Sequence, residues 1–497
     1  MTKLLQPAVW LTLIFAATLS SSLRAADYQF DLQFPENVRK EPFTGRVYLM
    51  FSKQGEPRRG PNWFAPQPSL AKDVENWKPG EPLTIRSGDA ALISIPKPLA
   101  ELELEGLSVQ AIARFNPTEK NVGTGEGNAF SKSAKVKGTA LALSLTEIVP
   151  APEFKETQWS KLLDVPSRLL SEFHHRDVKM RAGILLPASY YSRPDRRYPV
   201  LLNIPGFGGD HMVGSGRTTP VKVADDKSVE FIRVFLDPNC ALGHHVYADS
   251  ANNGPVGNAL IAEFIPALDK EYRTIAEPSA RFLTGHSSGG WSSLWLQVTY
   301  PEIFGGVWST SPDPVDFRDF QQINMYEPGA NMYHDAKGNR RPLARAGGQV
   351  LLWYDDFDHM EELMGFGGQL HSFEAVFSPR GSDGKPLRAW DRKTGAVNTA
   401  VTKAWEKYDI RLILESNWKE LAPDLEGKLH VFMGDADTFY LEGAVRLLAE
   451  AMKRVDSDAD IEMFPGKDHS SIMTPQLQEK MRNQMAEAFL KAHPEWK

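Results

Sequence analysis

The sequence predicts an α/β fold with a mostly parallel sheet and a long lid-like insertion, preceded by a small all-β sandwich domain. Three observations carry that expectation. Between 27 and 150 apolar residues recur at every second position with no helical pattern among them. From about 179 onward, strand-like runs alternate with helix-length segments, the pattern of a parallel sheet covered on both faces. Between "WSTSPDP" and the strand-like "KLHVFMG" lie about 115 residues, where a plain crossover needs a few dozen. At 497 residues, 42% hydrophobic and 24% charged, the chain has material for more than one core and no compositional case for disorder.

Residues 1–25 read as a secretory signal peptide: Lys3, the apolar run "AVWLTLIFAATL", then small residues up to Ala25. The apolar run is about 12 residues long against the roughly 20 that cross a bilayer. Export is therefore expected, to the periplasm or the medium, with no membrane attachment after cleavage. Cys240, the single cysteine, lies far from the leader and can form no internal disulfide. A net charge of −7, with no run of Lys or Arg, argues against nucleic acid and anionic membrane as partners.

Residues 26–150 read as an Ig-like β-sandwich on the strength of "GRVYLMFS", "ELELEGLSVQAIARF" and "GTALALSLTEIV". The sandwich offers no catalytic constellation; it either binds carbohydrate or packs on the rest. "VPAPEFKET" at 149–157 is the linker, and 151–497 form the catalytic domain. Its strand runs are "KMRAGILLP", "YPVLLNI", "EFIRVFLD", "RFLTG", "KLHVFMG" and "IEMFPG"; helices are expected near 257–273, from Ser288, and over about 440–454 and 475–492. The insertion, about 313–427, lies where loops become lids or pocket walls. Its acidic cluster at Asp355, Asp358, His359 and Glu362 matches no metal-ligand spacing and reads as a solvated helix face rather than a metal site.

The chemistry gathers at "GHSSGG", residues 285–290. A serine between a strand and a helix, flanked by glycines, sits on a tight turn with its hydroxyl above the sheet. Trp291, Leu294, Trp295 and Val298 fall at i, i+3, i+4 and i+7, which makes the following helix real and Trp291 a core residue. Ser287 is the candidate nucleophile, and the Ser288 N–H points to where an oxyanion would form. A serine needs a base, and the base an acid to orient it. His469 follows the last strand. Asp437 and its competitor Asp435 follow the one before. The glycine loop "NIPGFGGD" offers the second oxyanion donor, the Phe207 N–H. His286, and His244, His245, Asp249 and Asn253 in "GHHVYADSANNGP", are possible pocket residues.

The blocks "YPVLLNIPGFGG", "ADSANNGPVGNALIAEFIPALDKEYR", "RFLTGHSSGGWSSLWLQVTYPEIFGGVWSTSP", "GDADTFYL" and "PGKDHSS" resemble the esterase D branch of the α/β-hydrolase fold, which includes enterochelin esterases, feruloyl esterases and S-formylglutathione hydrolases. The resemblance implies carboxylic-ester hydrolysis by Ser287, Asp437 and His469 without a cofactor, on a small-molecule or polysaccharide-linked ester. Two departures stand out: Pro205 and Gly206 replace the family's frequent His-Gly, and compact members lack the insertion. The rival expectations are an acyltransferase or peptidase using the same triad and a binding protein on a dead hydrolase scaffold.

Overall fold

The computed structural model describes residues 27–221 and 229–496; the expected signal peptide lies outside the described residues. Among the described residues no helix is long and apolar enough to cross a membrane.

The N-terminal strands run from Gln29–Gln33 to Ala140–Ile148. The last of them belongs to two sheets at once: residues 140–144 pair in parallel with Gln29–Gln33, and its end pairs antiparallel with Ala129–Ser131. Strand Phe43–Ser52 shows why "GRVYLMFS" is apolar almost throughout. Val47, Leu49 and Phe51 enter the sandwich core, whereas Tyr48 and Met50, on the opposite face, join the core of the catalytic domain. In "ELELEGLSVQAIARF" the strand begins only at Ser108, because Gly106 turns the chain at φ 76° and leaves Leu102 and Leu104 buried in loops.

The catalytic sheet has eight strands: β1 (Ser160–Pro166), β2 (Lys179–Leu185), β3 (Val200–Ile204), β4 (Ile232–Leu236), β5 (Arg281–His286), β6 (Gly306–Thr310), β7 (Leu429–Gly434) and β8 (Asp460–Phe464). They lie in the order β1-β2-β4-β3-β5-β6-β7-β8. The β1–β2 and β2–β4 pairs are antiparallel and all later ones parallel. This is the α/β-hydrolase core that the sequence implies. Strands β1 and β6 are missed by pattern reading: one is an edge strand with mixed burial, the other five consecutive buried residues, and neither gives an alternation to count.

Helix α1 (Ser288–Thr299) follows β5 at once. It is not amphipathic, being buried from Ser288 to Val298, because the insertion covers the side that faces away from the sheet. The insertion carries a hairpin (Pro342–Ala346 with Gln349–Trp353) and helices α2 (Tyr354–Met364) and α3 (Gln369–Phe377). Helix α4 (Glu442–Arg454) lies between β7 and β8, and helix α5 (Pro475–Ala492) follows β8. Where α2 ends, its carbonyls would lack acceptable partners in a buried position. The sandwich supplies them: Arg46 donates to the carbonyls of Glu362 and Leu363, Tyr48 Oη to Met364 O at 2.8 Å, and Arg114 to Phe366 O at 2.9 Å.

The acidic face of α2 is solvated only in part: Asp356 and His359 are exposed, but the remaining carboxylates are engaged. Asp355 pairs with Arg340; Asp358, fully buried, accepts from Tyr333 Oη and Trp390 Nε1; Glu362 accepts from His371 and Arg388. These carboxylates balance internal cations. Among the described residues, no cluster of three or more His, Cys, Asp or Glu is arranged to hold a metal ion.

Candidate active site

Ser287 stands between β5 and α1 with φ 60° and ψ −127°, a conformation that non-glycine residues adopt only under constraint. The constraint is visible in the glycines. A Cβ on Gly285 would lie 2.0 Å from the Gly289 carbonyl oxygen, and one on Gly289 would lie 1.9 Å from that of Ile204 in β3. The sharp turn and the close approach to the neighbouring strand both depend on these bare Cα atoms. Hydrogen bonds from Ser287 N to Thr310 O (3.1 Å) and from Trp291 N to Ser287 O (3.0 Å) hold the turn.

His469, in the turn after β8, and Asp437, in the turn after β7, meet at 2.7 Å between Nδ1 and Oδ2. Asp437 is fully buried; its other oxygen accepts from the Phe439 N–H at 2.8 Å, which fixes the carboxylate plane. Burial opposes the charge on His469, but the bond to Asp437 outweighs it and holds the imidazole above the ordinary histidine value. Asp435 faces away and accepts from the Gly466 N–H, bracing the next turn. With Nδ1 occupied, Nε2 is the nitrogen of His469 left for a reacting hydroxyl.

Ser287, His286 and His469 line one cavity of about 300 Å³. The insertion contributes Gln321, Leu343, Phe357, Gln369, Leu370 and Phe373 to its wall. The sandwich contributes Trp63, whose ring lies 5.6 Å from that of Phe207 and 5.0 Å from that of Phe357. Phe64 stacks at 6.2 Å on Phe439, itself edge-on to His469 at 5.0 Å. Sequence reading missed this role, since aromatic residues in a loop carry no period.

The glycine loop 203–210 lies against the serine: a Cβ on Gly206 would sit 3.2 Å from Ser287 Cβ. Among the described residues neither Phe207 N–H nor Ser288 N–H has an intramolecular acceptor, so both remain available to a ligand. The Ser288 hydroxyl is engaged elsewhere. It donates at 2.6 Å to Asp313, which follows β6 and was not foreseen; Gln369 Nε2 donates to both. Burial pushes the Asp313 carboxyl up to about 6.

His286 lines the cavity, with its ring 4.7 Å from that of His469. Thr310 Oγ1 donates to Gly285 O and so accepts from His286 Nδ1; burial lowers this histidine to about 4 and keeps it neutral. The other possible pocket residues do not line the cavity. His244 Nδ1 accepts from Val246 N–H, which makes Nε2 the donor to Pro205 O. His245 accepts from the Tyr247 N–H; Asp249 accepts from Gly257 and Asn258 at the start of the 256–271 helix; Asn253 accepts from Cys240. These polar groups satisfy the backbone and fix the loop behind the site.

Residues 174–470 match the family described as Putative esterase, which is more than half of the chain. The chain belongs to the Putative esterase family. No curated protein matches it. Solved structures similar to this family member include a ferulic acid esterase (15% identity, covering 68% of this chain and 100% of that one, TM-score 0.41). An S-formylglutathione hydrolase from Agrobacterium tumefaciens (15%, 67% and 98%, 0.40) and the fluorophosphonate-binding serine hydrolase FphF of Staphylococcus aureus (12%, 66% and 98%, 0.38) are similar too.

Proposed function

We propose that this member of the Putative esterase family is a secreted serine esterase that works through an acyl-enzyme. The observation that carries the reading is the 2.7 Å His469–Asp437 pair at a cavity that Ser287 also lines. Ser287 Oγ attacks the ester carbonyl carbon and passes its proton to His469 Nε2. The tetrahedral oxygen sits between the N–H groups of Ser288 and Phe207, where the N-terminal dipole of α1 adds to the stabilisation. Collapse breaks the bond to the alcohol oxygen, which takes the proton from His469. Water, activated by the same imidazole, then attacks the acyl carbon and releases the acid with Ser287 restored.

The aromatic wall of Trp63, Phe207, Phe357 and Phe439 supports a bulky, flat group on one side of the ester. The test is labelling with a fluorophosphonate probe alongside a screen of acetyl, feruloyl, glucuronoyl and siderophore esters. Probe attachment at Ser287 and turnover of at least one ester are expected; a modified residue other than Ser287 would overturn the assignment.

A further inference from the structure

Beside the catalytic cavity lies a second one of about 170 Å³, and the two share Trp63 and Phe207 in their walls. Its charged lining is Arg58, Arg59, Lys120 and Glu361. Glu361 is already satisfied, its oxygens accepting from the Leu370 and His371 N–H groups. Arg58 and Arg59 pair with Glu56.

Lys120 differs from them. It is only 9% exposed, and among the described residues its ammonium has neither a carboxylate within ion-pair distance nor a hydrogen-bond acceptor. Nζ lies over the ring of Phe207, 4.3 Å from its centroid. Asp237, Asp210 and Glu119 act on it only from a distance, and burial lowers its pKa from the ordinary lysine value. A buried cation without a counter-ion is costly in a structural role, whereas one facing a cavity is ready to pair with an incoming anion.

We infer that Lys120 and the small cavity form a subsite for an anionic group, a carboxylate above all, carried by the substrate at a distance from its scissile ester. The inference rests on the esterase reading for the identity of the main cavity, and it narrows the substrate class to esters with an acidic end. The anion replaces the missing counter-ion of Lys120, while Trp63 and Phe207 flank the part of the substrate that joins the ester to it. Selectivity is thus set by a residue of the sandwich domain. Lys120 binds substrate rather than taking part in bond making.

Two matched pairs of esters test it, one with the charge on the alcohol side and one on the acyl side: 4-acetoxybenzoate with its methyl ester, and p-nitrophenyl hemiadipate with p-nitrophenyl hexanoate. In at least one pair, the ratio of kcat/KM for the charged over the neutral ester should fall about 10- to 100-fold in Lys120→Met, mainly through KM. Lys120→Arg should retain most of the ratio. Equal ratios in wild type and Lys120→Met for both pairs would overturn the subsite and leave the esterase reading standing. If the wild type cleaves none of the four esters, the esterase reading is decided by fluorophosphonate labelling of Ser287, and the subsite is judged separately by calorimetric binding of 4-hydroxybenzoate to the Ser287→Ala protein. Binding that weakens at least about 10-fold on adding Lys120→Met supports it; no binding to the protein that keeps Lys120 overturns it.

Discussion

Nε2 of His244 donates a hydrogen bond to the carbonyl of Pro205 at 3.0 Å, directly behind the peptide that precedes Gly206 and Phe207. The ring is buried and its Nδ1 is an acceptor, so burial holds this histidine neutral, at about 3. It thereby sets the direction of the loop that offers the Phe207 N–H. His244→Leu should lower kcat by about 10²-fold, the scale of a lost oxyanion donor, with KM little changed. His244→Gln, which can still donate, should recover part of the loss. Equal kcat in His244→Leu and wild type would remove the loop-positioning role.

Ser287 carries backbone strain at φ 60° that its neighbours enforce. Ser287→Ala should reduce turnover by about 10⁴-fold or more. Ser287→Gly should be equally inactive yet unfold at a higher temperature than Ser287→Ala, since glycine adopts this conformation without a penalty of about 1 kcal/mol. Thermal melts of the two variants, compared with each other, check this.

The proton balance gives activity and stability separate pH dependences. Because His469 must be neutral to accept a proton and its pKa is raised, kcat/KM should rise with pH through a midpoint above about 6.5. A flat profile from pH 5 to 9 would contradict the assignment. Burial depresses His244 to about 3 and His245 and His286 to about 4. The unfolded chain therefore binds more protons than the folded one below about 6.5, and stability drops with falling pH toward 4. Asp313, raised to about 6, works in the opposite sense within the same window, and so does His469, whose raised pKa lets the folded state hold its proton as pH rises past about 6.5. Urea unfolding at pH 7 and pH 5 should differ by about 2–4 kcal/mol in favour of pH 7.

Trp63 reaches the catalytic cavity from the sandwich domain. Trp63→Ala should lower kcat/KM for feruloyl and naphthyl esters about 10-fold more than for p-nitrophenyl acetate, whose acyl group is too small to touch the ring. Parallel loss on all three esters would point to collapse of the Phe207 loop instead.

Much of this site was legible in the sequence because its parts obey local rules. "GHSSGG" announces a turn that only glycine permits, and Asp437 and His469 follow strands whose residues are apolar enough to be read. Strands β1 and β6 offered no alternation, one because its burial is irregular and the other because it is buried throughout. Asp313 follows one of those unseen strands, so no element placed it at the sheet edge. The roles of Trp63 and Lys120 depend on contacts across more than 80 residues of sequence, which no periodicity records. The histidine pair in "GHHVYADS" went the other way: polar residues in a loop suggested a pocket, but their donors and acceptors are spent on backbone groups.

The sandwich side chains that receive the end of α2 also have a thermodynamic consequence. Arg46, Tyr48 and Arg114 reach across to the insertion, and one apolar cluster runs through both domains. Cutting the chain within 149–157 should not separate the halves, and calorimetry of the intact protein should show a single cooperative endotherm rather than two. The two architectures should melt together because the sandwich face that carries Tyr48, Met50 and Ile112 is kept from water only by the catalytic domain.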